Sequence, residues 1–295
     1  MKRDSDLDSN ASSSSGINTE WMDSIPSYEE SPYFIPDLGD DEIDHSLMQH
    51  YTYKYMCQGN FISPLKKENL KKCLEIGYGS GIWMMEMASE YPNCDFYGID
   101  VQPNNPDSTY PDNCEFIKGD VKKGIPYPDE TFDFVYLRMT MIYIESNKWK
   151  PLISEIFRVL KKGGWVEFLE TDMSYKPSGK IMKSIMKFWV DMFKARNIEL
   201  KLIRQFGTIL SESGFVNAIN KKYSVPIGSW AGALGEIRSQ SFNTWLHVTA
   251  DFTYRSLGFD TKEEYLNQIE KLEDEYSELK PHGDHYVAYG QKPLN

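Results

Sequence analysis

The chain has 295 residues, 40% of them hydrophobic and 14% aromatic, and carries a formal net charge of −12. That length suits one elaborated domain, the apolar content supplies a sizeable core, and no apolar run approaches the roughly 18 residues of a membrane span. The negative charge opposes a phosphate backbone, so neither nucleic acid nor membrane is expected as a partner.

Residues 1–30 are rich in Ser, Asp, Glu and Asn. They hold too few large apolar side chains to offset the entropy of ordering, which predicts a disordered tail ahead of a domain over 31–295. The opening MKRDSDLDSN leads into serines and acids, not an apolar stretch, and gives no secretory signal. Cys57, Cys73, Cys94 and Cys114 form no C-x-x-C pair and have no histidine at zinc-ligand spacing, so they read as reduced core thiols and no metal site is expected.

Next, residues 41–60 predict a helix with Ile43, Leu47, His50 or Tyr51, and Tyr55 along its packed side, covering the domain that follows. Between 71 and 170, the short apolar runs CLEIG, DFYGID, CEFIKGD, FDFVYLR and GWVEFLE alternate with helical patterns. Such alternation means a parallel sheet with helices on both faces. The clearest helix spans 148–161, where Trp149, Leu152, Ile153, Ile156, Phe157 and Leu160 share a face ahead of Gly163 and Gly164. Further helices are predicted over 181–196 and 202–213, and strands over 215–226 and HYVAYGQKP. An insertion over about 227–281 holds two helical segments, the second opening on the capping box Thr261 to Glu264. Its Trp230, Phe242, Trp245, Phe252 and Tyr254 fit either a substrate lid or an extension of the core.

The chemistry begins at Leu74-Glu-Ile-Gly77-Tyr-Gly79-Ser-Gly81, a strand entering a glycine turn and then a helix. Glycines there let the backbone approach a ligand too closely for any Cβ. Alone, this also fits a nicotinamide or flavin site, although the usual G-x-G-x-x-G would need glycine where Ile82 stands. Asp100, about 20 residues on at a strand end, can accept hydrogen bonds from ribose hydroxyls. The next strand ends in Gly119-Asp120-Val121, placing an acid where an adenine amino group could be read, and the fourth delivers Arg138. In an open parallel sheet these strand ends face one crevice.

These residues together resemble the class I S-adenosylmethionine-dependent methyltransferases. YMCQGNFISPL, GIW, DVQPNN, FDFVYLRM, GGWVEFLE and YVAYGQKP are similar, more narrowly, to the fungal LaeA-like, or TAM-type, methyltransferases. The resemblance implies a Rossmann-like, mostly parallel seven-stranded sheet whose last strand is antiparallel, with the N-terminal helix and the late insertion closing over S-adenosyl-L-methionine. It assigns Glu75, Gly77, Gly79 and Gly81 to the methionine end of that cofactor, Asp100 and Val101 to the ribose and adenine edge, Asp120 and Val121 to the adenine, and Arg138 to the cleft floor. Tyr78 departs from the small residue usual between the first two glycines and is expected to narrow the pocket mouth.

Methyl transfer from a sulfonium asks the protein mainly to align the nucleophile and exclude water. If the acceptor needs a base, the candidates are His50, Tyr143, Glu170 and His247. No Asp/Asn-Pro-Pro-Tyr/Phe or Pro-Cys motif of the nucleic-acid enzymes is present, so a small-molecule or protein acceptor is expected. The same resemblance carries an alternative: a LaeA-like regulator of secondary metabolism that keeps the cofactor fold and acts through a protein partner. Cytoplasmic residence is expected, with nuclear residence implied by the resemblance alone.

Overall fold

A computed structural model describes residues 40–102 and 110–295, with side chains described from Asp44 onward. The expected tail, 1–30, lies outside the described residues, as does part of the DVQPNN segment.

Seven strands form one sheet: β1 (Lys72–Ile76), β2 (Asp95–Asp100), β3 (Cys114–Lys118), β4 (Phe132–Arg138), β5 (Leu160–Lys176), β6 (Val216–Pro226) and β7 (His282–Gln291). Their order is β3-β2-β1-β4-β5-β7-β6, with β1 to β5 parallel and β7 antiparallel to both β5 and β6. The helices are α1 (Asp40–Cys57), α2 (Ile82–Glu90), α3 (Trp149–Val159), α4 (Lys180–Ala195), α5 (Phe206–Glu212), α6 (Gly232–Val248), α7 (Ala250–Thr253), α8 (Lys262–Glu270) and α9 (Leu272–Leu279). None is long and apolar enough to cross a membrane among the described residues.

The central strands carry apolar side chains on both faces, and their alternation divides the core in two. On β1 and β4, Leu74, Ile76, Val135 and Leu137 join the cluster beneath α3, α4, α5 and the insertion. Cys73, Phe134 and Tyr136 join the opposite cluster beneath α1 and α2, where Trp83 stacks on Tyr136 with ring centroids 4.3 Å apart.

Five expectations need correction. On α1, of the residues expected to pack, His50 is buried but Leu47, Tyr51 and Tyr55 are exposed, Ile43 lies outside the described side chains, and Thr52 and Tyr53 are buried instead. The helix brings His45, Ser46, Gln49, Thr52 and Tyr53 to the cavity and packs on α6, so its buried side is not its most apolar one. The helix predicted to reach 161 stops at Val159, because Leu160 pairs with Phe132 and opens β5 directly. That strand also runs six residues past Glu170, drawn on by its antiparallel pairing with β7 through an irregularity between Thr171 and Tyr175. The insertion contains four helices in place of two; the long second segment breaks at Lys271, although its Thr261–Glu264 capping box is formed. Of the cysteines, Cys73 and Cys94 are buried free thiols 3.5 Å apart, while Cys57 and Cys114 are only half-buried.

Candidate functional site

Strand direction decides where the site lies. The carboxyl ends of β1 to β5 open on one edge of the sheet, and the antiparallel β7 begins at that same edge, since Thr171 pairs with His285 and Tyr175 with Gly283. One cavity of about 250 Å³ follows this edge from Asp120 beyond β3 to His285 on β7. With strands about 4.8 Å apart, the five steps from β3 to β7 span on the order of 24 Å. α1 and α6 form its roof, joined where His45 Nδ1 donates to the Ser241 carbonyl at 2.9 Å.

At one end stands the glycine turn. Gly77, Gly79 and Gly81 have φ of +72°, +53° and +73°, conformations that favour glycine. At Gly77 space forbids a side chain as well, because a Cβ would lie 2.6 Å from Thr140 Cγ2. Asp100 fixes the turn: Oδ2 accepts the Gly79 N–H at 3.0 Å and Oδ1 the Gln102 N–H at 3.1 Å. Asp120 caps the turn after β3 by accepting the Lys122 N–H at 3.1 Å, and Lys122 in turn reaches Glu145 at 2.9 Å.

Gly77, Gly79, Asp100, Val101, Asp120, Val121 and Arg138 all line the cavity with Tyr78, so seven of the nine residues assigned by resemblance meet at one wall. Glu75 and Gly81 lie behind it. Gly81 starts α2 against Phe116. Glu75 is 2% exposed and its Oε2 makes no hydrogen bond among the described residues; burial pushes its carboxyl up to about 8, against the pull of nearby Arg138. Tyr78 does not narrow a mouth: its ring packs inward on Phe116 at 4.9 Å and fits because residue 98 is glycine.

The four residues put forward as bases are scattered. Only Tyr143 lines the cavity. His247 is exposed near the end of α6, its Nδ1 bonded to the Asn243 carbonyl at 2.8 Å. Glu170 is buried and accepts both the N–H and the hydroxyl of Thr140, at 2.7 and 2.9 Å, so it holds the turn after β4; burial raises it to about 7. At His50 both ring nitrogens are occupied. Arg138 Nη1 donates to Nδ1 at 3.0 Å, and Nε2–H then donates to Glu86 at 2.6 Å. Burial, then Arg138, lowers His50 to about 4, which leaves a neutral ring that positions Arg138.

The far end of the cavity was not foreseen. It is formed by Tyr53, Thr171, Met173, Tyr175, Arg238 and His285, with Phe242 and Trp245 above. Tyr53 donates to Met139 Sδ at 3.1 Å and meets the edge of His285 at 5.4 Å. Met139 and Met173, both at φ above +50°, end β4 and bend β5 at the cavity wall, a backbone strain that clusters at functional sites. His285 Nδ1 donates to the Gly283 carbonyl at 3.2 Å, so Nε2 carries the lone pair and makes no hydrogen bond among the described residues. Burial, then Arg238, holds this ring well below the usual imidazole range, so it is neutral. The two readings of the insertion's aromatics divide: Phe242 and Trp245 line the cavity, whereas Phe252 packs on Trp189 in the core.

Comparison with known proteins agrees with this geometry. A family model described as a methyltransferase domain matches residues 73–164, less than half of the chain but including the glycine turn, Asp100, Asp120 and Arg138. The chain is 26% identical over 214 residues to a protein named secondary metabolism regulator laeA from Aspergillus flavus, covering 69% of this chain and 56% of that protein. A relative from Emericella nidulans named protein-methionine methyltransferase laeA is 27% identical over 53% of this chain and 43% of its own length. The chain thus spans about half the length of these relatives. It spans nearly all of a third, N-methyltransferase verN from Clonostachys rogersoniana, 24% identical over 85% of this chain and 90% of that protein. In three dimensions it resembles a Haemonchus contortus phosphoethanolamine N-methyltransferase (TM-score 0.50, 16% identity, 88% of this chain and 61% of that one). It resembles the [4+2]-cyclase SpnF equally (TM-score 0.50, 15% identity, 85% and 81%). The fold is that of the class I methyltransferases, and the sequence is similar to the LaeA-like proteins.

Proposed function

We propose that this chain, a class I methyltransferase fold similar to the LaeA-like proteins, binds S-adenosyl-L-methionine and transfers its methyl group to a small-molecule or protein acceptor. The observation that carries the reading is the convergence of four strand ends on one wall, with Asp100 holding the glycine turn and Asp120 on the neighbouring strand. Asp100 suits ribose hydroxyls and Asp120 and Val121 suit an adenine edge, while Glu75 backs the glycine turn from behind the cavity wall. When bound, the cofactor supplies an electrophilic methyl on a positively charged sulfur.

The protein's own contribution is alignment. From the glycine turn the cavity continues past Arg138 and Met139 to His285 and Tyr53, so an acceptor seated there would lie beyond the methionine end of a cofactor held by the glycine turn. His285 Nε2 can hold an acceptor N–H or O–H with its lone pair pointing onward. Its burial beside Arg238 opposes an imidazolium, so it orients the nucleophile, and the acceptor's proton would pass to solvent once the methylated product is released. The α1 and α6 roof excludes solvent from the transfer.

The test is thermal unfolding of the full chain with S-adenosylhomocysteine. At about 100 times its dissociation constant a ligand adds roughly 2.7 kcal/mol, worth several degrees at this size. Asp100→Ala should lose the effect, as should Asp100→Asn in large part. Stabilisation by NADH instead would refute the reading.

The names of the laeA relatives support a second reading, a regulator acting through a protein partner. Cofactor binding without turnover on any acceptor, small or protein, would favour it.

A further inference from the structure

Arg238 is 6% exposed on α6 and lines the far end of the cavity, yet no carboxylate among the described residues pairs with it. Its Nη1 donates to the carbonyls of Val225 and Pro226, which satisfy hydrogen bonds without balancing charge. The acids nearest in the strands face elsewhere. On β5 and β7, Thr171, Tyr175, Gly283 and His285 belong to the cavity wall side, so Asp172 and Asp284 fall on the opposite face, where Arg204 and Lys222 take them. Room for the guanidinium is made by Gly283, where a Cβ would come within 2.3 Å of Nη2. The guanidinium lies over the Tyr175 ring at 5.4 Å, and Phe242 and Trp245 continue the aromatic wall, with successive ring centroids 5.6 and 5.9 Å apart. A buried cation is costly unless an anion meets it, and here the neighbouring histidine is neutral and supplies none.

We infer that the far end of the cavity takes the carboxylate of a small aromatic acid on Arg238, with its ring against Tyr175, Phe242 and Trp245. This rests on the methyltransferase reading only in making that acid the methyl acceptor; the anion site itself stands on Arg238 and its surroundings. The acid's remaining end points toward His285 and the glycine turn, which sets the methylated atom opposite the carboxylate.

The full chain is titrated with benzoate, 4-aminobenzoate, indole-3-acetate and 2-naphthoate, each beside its primary amide, with and without saturating S-adenosylhomocysteine. At least one acid should bind about tenfold or more tightly than its amide, as expected for a buried charged hydrogen bond. Arg238→Gln should abolish the preference while leaving S-adenosylhomocysteine affinity unchanged, and Arg238→Lys should keep part of it. If Arg238→Gln does not fold, the wild-type ratio and the lysine variant decide. Equal binding of every acid and its amide, or failure of all of them to bind, overturns the inference. Failure to bind S-adenosylhomocysteine overturns the proposed function separately, since the acid and amide ratio is still read without it.

Discussion

A carboxyl group such as Glu75, sealed behind the glycine turn with one oxygen unbonded, should leave a signature in the pH dependence of stability. Burial raises it from the ordinary carboxylate range to about 8. The folded state therefore holds a proton that the unfolded state releases, and the stabilisation present in acid is lost as pH rises through the interval up to about 8. Glu167 and Glu170, buried and each raised to about 7, add to the same slope. Across pH 5 to 8.5 the wild-type midpoint should fall by roughly 5–10 °C more than that of Glu75→Gln. Parallel curves for the two proteins would show that Glu75 is ionised in the folded state. The residues legible in the sequence were those packed into short motifs: three alternate glycines and acids at successive strand ends announce a nucleotide-like cleft by spacing alone. Arg238, His285, Tyr53 and Tyr175 come from four separate elements and share no spacing. No histidine could be chosen from the sequence for the same reason, because nothing local distinguishes His50, whose nitrogens are both engaged, from His285, whose Nε2 makes no hydrogen bond among the described residues.

At the scale of elements, the pattern was readable wherever one side of a helix or strand meets only apolar neighbours. α3 is the clearest case: Trp149, Leu152, Ile153 and Ile156 recur at helical spacing and all are buried on the sheet. Ile156→Ala should cost about 2–5 kcal/mol in urea denaturation, whereas Ser154→Ala on the outer face should stay within about 0.5 kcal/mol. A small loss at Ile156 would mean that α3 repacks to fill the space. α1 misled because its inner side carries polar residues, Thr52 at the cavity and His50 between Glu86 and Arg138, while Leu47, Tyr51 and Tyr55 face out. The extension of β5 did alternate, with Thr171, Met173 and Tyr175 inward and Asp172 and Ser174 toward Arg204, but Asp, Ser and the following Pro resemble a loop when read alone. Only the antiparallel partner, more than a hundred residues away, makes it a strand.

For the molecule as a whole, the sheet fixes where chemistry can happen more firmly than which chemistry it is. A phosphoethanolamine N-methyltransferase and a [4+2]-cyclase share this architecture at equal TM-score. The far third of its cavity is walled by the β5 extension, the start of β7 and α6. The strand order has a further effect, on time rather than shape. β6 precedes β7 in sequence by more than fifty residues, yet its only sheet partner among the described residues is β7, which itself needs β5 on its other side. As the chain emerges, β6 must wait unpaired while the entire insertion is made, and the wall that holds His285 closes last. Non-local pairing of this kind slows assembly. In pulse-labelled hydrogen exchange during refolding, the amides of Val216–Pro226 should gain protection together with those of His282–Gln291 and never before them. Earlier protection would reveal another strand holding the place. Until that final pairing the molecule has a glycine turn but no far end to its cavity, so on the proposed function partly assembled chains would hold the cofactor without being able to spend it.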